Sequence, residues 1–513
     1  MWNACSTGVT ASTILDVLKE ASRYELPGSI TEAVEDWCSK YGRVLLLRDG
    51  ERLILKAQNN LLMREIQHIP DIGSAIWSHL DARTTEINPA SRGTVKRAML
   101  QYGYPVVDEA GYTEGAPLEI DLKPLTTSGK SFQLREYQEL AAQRFWADGK
   151  ITGGCGVLNL PCGSGKTIIG LRVMQLARTR TLILAPGITA ARQWIAEILD
   201  KTTLPREDVG EYSGEVKQIM PVTVATYHAL TAAYRNESSR LTNSATPSIL
   251  NTEAWGLVIY DEVHMLPAPM FRLSAELQSC RRLGLTGTLV REDGKELDVF
   301  SLIGPGRMDA HWKQMEAAGW IARADCTEVR VPMPPELRTA YAASSMRNTY
   351  AVAAGNPAKE EVVQHIVALH RDRSCLVMGQ DLDQLRKLAA RLEAPLIEGR
   401  VPNRQRAALY EDFRAGIHRV LVVSRVGNTS VDLPEARVAI QVSGMFGSRQ
   451  EEAQRLGRIL RPHREDNRAY FYSIVSEDTV EVDFAAHRQL YLIEQGYRYT
   501  ITRWNEFREQ AVI

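Results

Sequence analysis

The first chemistry this chain offers lies in Leu160-Pro161-Cys162-Gly163-Ser164-Gly165-Lys166-Thr167. Glycines let backbone N–H groups turn toward a polyphosphate. A helix starting at that point adds partial positive charge. Lys166 has the reach to touch the outer phosphates, and the Thr167 hydroxyl is a ligand for Mg²⁺. Gly163, Ser164, Gly165, Lys166 and Thr167 thus read as a phosphate-binding loop. Leu160 stands where the usual pattern has its first glycine, and a chance glycine loop is the plain alternative. The partners further along the chain argue against chance. After the apolar run Leu257–Tyr260 comes Asp261-Glu262-Val263-His264. Asp261 can hold Mg²⁺ through water, and Glu262 can orient and deprotonate an attacking water. A surface carboxylate pair is also common at strand ends, but the order and distance after Lys166 make it the weaker reading. Upstream, Arg135 and Gln138 fall in Phe132-Gln133-Leu134-Arg135-Glu136-Tyr137-Gln138. A glutamine amide can read an adenine edge while an arginine packs on the base, although alone this could be any helix start.

Further on, Gln454-Arg455-Leu456-Gly457-Arg458-Ile459-Leu460-Arg461 places three arginines at spacings of three. On a helix they fall near one face. They read either as a salt-bridged surface or as arginine fingers, Arg458 and Arg461 above all, delivered to a γ-phosphate with Gln454 positioning the water. Asp432 sits in the polar loop Gly427–Pro434 and could touch a ribose or an arginine. Thr286-Gly287-Thr288 ends another apolar run, where hydroxyls can relay nucleotide state to a bound strand.

These residues need parallel strands that deliver loops to one edge. From 131 to 305 short apolar runs alternate with amphipathic helices: Thr181–Ala185, Val222–Ala225, Leu257–Tyr260 and Leu283–Leu285. A second alternation runs from 360 to 475, through Cys375–Met378, Pro395–Ile397, Val420–Val423, Val438–Gln441 and Tyr470–Ile474. The fold class is α/β, with two parallel-sheet domains in tandem. The expected domains are an N-terminal α+β unit over 1–110, a first α/β domain over 131–305, a helical and polar segment over 306–359, and a second α/β domain over 360–513. In the N-terminal unit, Asp49-Gly50 predicts a hairpin between Arg43–Arg48 and Arg52–Leu55. A helix carrying Arg92, Lys96 and Arg97 is expected within 83–103, either as a solvated face or as a winged-helix-like nucleic-acid contact. Residues 233–252 read as a polar loop. The tail from 477 reads as one helix and a short end.

At 513 residues the chain is too long for a single core. No apolar run spans a bilayer, and no secretion signal is visible. The expectation is a cytoplasmic, nucleoid-associated protein with no membrane partner. Seven cysteines are scattered without metal-cluster spacing, which fits reduced thiols. Net charge is −1, so nucleic acid must be held by a local groove and backbone N–H groups rather than a bulk field.

The joint order of these motifs resembles the superfamily 2 helicases. The likeness is closer to the XPB helicases, carried by Asp261 to Arg272, Leu289-Val290-Arg291-Glu292-Asp293, Ser424 to Pro434, Gly447 to Arg458, and Phe471 to Tyr497. It covers 131 to 500. Thr286-Gly287-Thr288 departs from the family's Thr-Ala-Thr. The resemblance implies two RecA-like domains with ATP in the cleft between them, and Mg²⁺ held at Thr167 and Asp261. It implies an ATP-driven 3′-to-5′ DNA helicase or translocase acting on forked or duplex DNA in nucleotide excision repair. Arg291, Glu292 and Asp293 would open the duplex. The N-terminal domain would be damage-recognition-like, 306–359 would hold a reduced thumb-like element, and a nuclease would be the partner. Backbone near Pro186, Gly187, Thr226, Gly379 and Gln380 would hold DNA phosphates with little base readout. A different class of function stays open: an ATP-gated DNA clamp or nuclease loader that scarcely unwinds.

Overall fold

Gly50 turns with φ +60, and the strands on either side pair as the Asp-Gly motif predicts. In this computed structural model Val44–Asp49 runs antiparallel to Arg52–Ala57, with Val44 opposite Ala57 and Asp49 opposite Arg52. The structure describes all residues except 7, 51, 89–90, 111–114, 151–152, 162, 240–248, 250–254, 267–278, 289–295, 346–347, 425–435, 445–447, 463–465 and 511–513. The hairpin lies in a five-stranded sheet ordered Ile76–His79, Thr84–Ile87, Arg52–Ala57, Val44–Asp49, Val106–Asp108. Alternate residues Val44 and Leu46 are fully buried. They join a core with Met63 and Ile66 of one helix and Val95 and Met99 of another, so an α+β unit forms.

The basic helix of this unit differs from expectation. Thr84–Ile87 is a strand, and the helix is Arg92–Gln101. Arg92 is buried, and its guanidinium donates two bonds to Asp108, at 2.5 and 3.0 Å, while Lys96 donates a third at 3.0 Å. Arg92 and Lys96 are thus paired with Asp108 rather than forming a solvated face.

The second sheet has seven strands, all parallel. Their order is Gly306–Asp309, Cys155–Asn159, Arg281–Thr286, Leu257–Asp261, Thr181–Ala185, Val222–Thr226, Val209–Tyr212. Central strands such as Thr181–Ala185 are buried throughout, as a sheet covered on both faces requires. The helix Tyr227–Ser239 runs into the stretch expected as a polar loop, and most of the rest of that stretch lies outside the described residues.

The third sheet is again seven parallel strands: Leu396–Ile397, Val420–Val423, Ser374–Met378, Ala436–Gln441, Arg468–Ser476, Arg323–Val331, Tyr499–Arg503. Two of these strands correct the sequence reading. Arg323–Val331 falls in a stretch expected to be helical, and Tyr499–Arg503 in a tail expected to be a helix with a short end. Arg323–Val331 pairs over nine residues with Arg468–Ser476. Its partner is distant in sequence, and its own residues mix charge with apolar groups, so no local pattern reveals it.

The described residues form two compact units. One holds Met1–Asn159, Thr167–Thr286 and Gly294–Asp309, with Gly287–Asp293 falling in the other. The other holds Ala310–Ile513 and the short segment Leu160–Lys166.

Candidate active site and strand-end loops

A parallel sheet delivers every strand-to-helix loop to the same edge. Asn159 ends one strand and Asp261 ends another, with Arg281–Thr286 between them. The phosphate loop leaves just after Asn159. Gly163 and Gly165 adopt φ +81 and +78, a region that L side chains rarely enter. The Ser164 N–H donates to the Pro161 carbonyl at 3.3 Å, and the Lys166 ammonium lies 3.4 Å from the Leu160 carbonyl. The helix Lys166–Ala177 begins there, with Thr167 half-buried in its first turn. The predicted strand–loop–helix is therefore present. Leu160, the departure from the glycine pattern, is fully buried, which explains an apolar residue at that point.

Two residues the sequence did not single out fix the carboxylate side. Gly170 lies inside the phosphate-loop helix, where a Cβ would stand 2.6 Å from the Trp194 ring. Glycine at this position lets Trp194 pack against the helix, and the Trp194 indole N–H donates to Asp261 Oδ2 at 3.0 Å. Asp261 Oδ1 accepts the Glu262 N–H at 3.1 Å, and the Tyr227 hydroxyl donates to the Asp261 carbonyl at 2.8 Å. Burial, with Asp261 nearby, pushes the Tyr227 phenol well above its ordinary value, so it remains a donor. The readable signal was the glycine itself. It weakens a helix by about 1 kcal/mol relative to alanine unless packing requires it.

Glu262 sits at φ +48, ψ +54. A non-glycine residue held there stores about 1–3 kcal/mol of strain, which collects at functional sites. His264 Nδ1 lies 2.6 Å from the Thr286 hydroxyl and 3.4 Å from Glu262 Oε2. The Thr286 hydroxyl and Glu262 thus both approach one nitrogen of a buried imidazole. Gln138 is buried, and its Oε1 accepts the Arg135 backbone N–H at 3.0 Å. That carboxamide caps its own helix.

The strand-end loops expected to touch DNA occupy matching places. Pro186 and Gly187 precede the helix Ile188–Lys201. Thr226 ends its strand, and its hydroxyl accepts the Ala229 N–H at 3.2 Å. In the third sheet Gly379 and Gln380 follow Ser374–Met378, and the Gln380 N–H donates to the Ser443 hydroxyl at 2.9 Å.

The three arginines do not share a helix face. The helix Arg449–Gly457 stops before Arg458, which is its C-cap, and Arg461 lies beyond it. Arg455 is buried and donates to Gln441 Oε1 at 2.5 Å, the Ser443 carbonyl at 3.0 Å and Glu451 Oε1 at 2.6 Å. Arg458 and Arg461 stay half-buried, and Gln454 lies one residue before Arg455 on the helix. Within the second unit a Cβ on Gly163 would stand 3.5 Å from the Arg461 side chain. Asp432, Arg291, Glu292 and Asp293 lie outside the described residues.

Residues 315–512 match the ERCC3/RAD25/XPB C-terminal helicase family. Residues 131–291 match the type III restriction enzyme res subunit, and 1–81 a helicase conserved C-terminal domain. Over 502 residues the chain is 46% identical to the DNA 3′-5′ helicase XPB of Mycobacterium tuberculosis, covering 98% of this chain and 88% of that protein. The chain belongs to the XPB helicase family. It is thus an ATP-dependent DNA helicase by class, with RecA-like α/β domains. It is also 33% identical to the general transcription and DNA repair factor IIH helicase/translocase subunit XPB of Encephalitozoon cuniculi, covering 98% of this chain and 75% of that one. Saccharomyces cerevisiae Dbp5, solved with RNA and ADP BeF3, superposes with a TM-score of 0.53 at 15% identity, over 73% of this chain and 92% of its own. That likeness concerns the fold alone. The XPB relatives give no support to the nuclease-loading clamp. Among the described residues no helix is long and apolar enough to cross a membrane.

Proposed function

We propose that this XPB-family chain translocates 3′-to-5′ on forked or duplex DNA and opens it during nucleotide excision repair. The observation that carries the reading is the shared edge of the second sheet. There the phosphate-loop strand ends, and Asp261 and Glu262 are held in place by Trp194, Tyr227 and His264. Gly163, Ser164, Gly165 and Lys166 bind the phosphates of ATP, and Arg135 and Gln138 face its base. Thr167 and Asp261 offer hard oxygen ligands that suit Mg²⁺ with its waters retained. When bound, the ion neutralises phosphate charge. Glu262 orients the attacking water and accepts its proton. Arg458 and Arg461 stabilise charge on the transferred phosphoryl group, Gln454 helps position the water, and Asp432 contacts the ribose.

Pro186, Gly187, Thr226, Gly379 and Gln380 hold backbone phosphates, and Arg291, Glu292 and Asp293 meet the fork. Separating DNA opposes stacking of about 1.4 kcal/mol per base-pair step, so the strand must be held after each advance. The domain reading keeps 1–110 as the N-terminal unit but takes the first α/β domain to Asp309 and begins the second before Arg323, which leaves 335–359 as the stretch for a reduced thumb. A nuclease that cuts the opened strand is the partner this role calls for, in the nucleoid.

The test is ATP hydrolysis by wild type and Lys166→Ala with no nucleic acid, single-stranded DNA, forked DNA and RNA. Strong stimulation by DNA, lost in Lys166→Ala, is the expected result. Absent stimulation, or a stronger response to RNA than to DNA, overturns the reading.

A further inference from the structure

The mechanism above leaves Arg455 unused, although it is among the largest fully buried side chains. Burying a guanidinium is costly, and among the described residues only Nη1 and Nη2 of this group are met by hydrogen bonds. Here one fork reaches two elements. Nη1 bonds Gln441 Oε1 and the Ser443 carbonyl at the end of the strand Ala436–Gln441, and Nη2 bonds Glu451 on its own helix. The surroundings brace this arrangement. Gln441 donates to Glu452 at 2.8 Å, and Glu452 also takes the Tyr499 hydroxyl at 3.2 Å and lies 3.4 Å from Arg488.

Ser443 joins this cluster to a second place. Its carbonyl accepts Arg455, and its hydroxyl accepts the Gln380 N–H. The contact is close-packed: a Cβ on Gly379 would fall 3.0 Å from Ser443 Oγ and 2.8 Å from Val442. Only glycine fits, so the loop of Gly379 and Gln380 cannot shift without moving Ser443. Ser443 in turn cannot shift without moving the guanidinium that holds the helix of Gln454.

We infer that Ser443 and Arg455 are positioning residues that couple the Gly379–Gln380 loop to the helix leading into Arg458. The inference rests on the proposed roles of Gln380 and Arg458. Strand engagement at Gln380 fixes Ser443, Ser443 fixes Arg455, and Arg455 sets where the helix ends and Arg458 begins. A buried hydrogen-bonded network of this kind transmits position because moving one member breaks bonds that low dielectric makes costly to lose. Arg455 needs its planar fork to do so, which lysine does not supply.

The experiment compares wild type, Ser443→Ala, Arg455→Lys and the double variant. Basal and DNA-stimulated ATP hydrolysis are measured across DNA concentration, alongside thermal melting. For Ser443→Ala the expected result is basal hydrolysis within about twofold of wild type, and stimulation reduced at least fivefold at saturating DNA. The DNA concentration for half-maximal effect should stay unchanged. The double variant should lose no more stimulation than Arg455→Lys alone, because the two act in one chain. Unchanged stimulation in Ser443→Ala overturns the inference. So does a parallel fall of basal rate, stimulated rate and melting temperature, which marks a purely structural role. Wild type that DNA does not stimulate overturns the functional reading itself, and is recognised before any variant is made.

Discussion

The two seven-stranded sheets share parallel topology but treat charge in opposite ways. Under the sheet that carries Asp261, the buried acidic and basic side chains among described residues are few: Glu211, His264 and Arg282. At its strand end the Asp261 carboxylate accepts the neutral Trp194 indole N–H, and Tyr227 holds the Asp261 backbone carbonyl. The other sheet buries Glu328, Lys359, Glu360, His370, Glu451, Glu452, Arg455, Glu481 and Arg488. Lys359 donates to both Glu481 oxygens, at 2.9 and 2.7 Å, and to the Val442 carbonyl at 3.0 Å. Neutral tethers leave a carboxylate available for chemistry. Buried ion pairs exhaust the charge and fix geometry instead. The sheet of Asp261 is therefore suited to hold reacting groups, and the sheet of Lys359 and Arg455 to frame groups at its edge.

The largest expected effect tests the first half of that contrast. Glu262→Gln should slow ATP hydrolysis by about 10²–10⁴-fold, the usual contribution of a positioned base. DNA binding in the presence of ATP should persist, as a gel-shift titration would report. Hydrolysis near the wild-type rate would remove Glu262 from the chemistry. Lys359→Met addresses the other half. It leaves Glu481 buried without its cation and should destabilise the second unit by about 3–5 kcal/mol, read by urea denaturation. A loss below about 1 kcal/mol would mean the pair is decoration.

A pH titration sharpens the comparison further. Burial, with Arg373 nearby, lowers His370 from 6.5 to about 4, while its Nε2 lies 2.9 Å from the Tyr472 hydroxyl. The folded chain keeps His370 neutral in that window, whereas the unfolded chain takes up the proton. Stability should therefore fall as pH drops from about 6.5 to about 4, by up to about 3 kcal/mol at 1.36 kcal/mol per unit. His370→Gln should flatten that slope; an unaltered slope would assign the acid sensitivity elsewhere. The smallest effect belongs to Tyr227→Phe, which removes one hydrogen bond to the Asp261 carbonyl. Stability should fall by about 1 kcal/mol and ATP turnover a few-fold, with KM unchanged. A raised KM instead would place Tyr227 in nucleotide binding.

Much of this architecture was legible because its signals are local. Apolar runs punctuated by glycine and polar residues marked the strands before Lys166 and before Asp261, and their alternation with helices pointed to an α/β fold, while the motifs they carry gave the resemblance to helicases. The hairpin at Asp49-Gly50 was legible for the same reason: its turn chemistry lies within two residues. Arg323–Val331 was not, because its alternating charge makes sense only beside Arg468–Ser476. Arg92 and Lys96 misled because both are met by Asp108 on the strand after the helix, which helical spacing does not show. The arginine triplet misled because spacing cannot show where a helix stops.

The sequence by itself determined which residues are candidates for nucleotide chemistry: the phosphate loop, the Asp261–Glu262 pair and the arginines, by their types and order. Tertiary structure alone decided which of them are held and by what. Gly170 admits Trp194 to Asp261, Thr286 and Glu262 both approach His264, and Ser443 ties Gln380 to Arg455. Those links depend on side chains meeting across separate strands and helices, and burial makes each unmet donor costly enough to fix the arrangement.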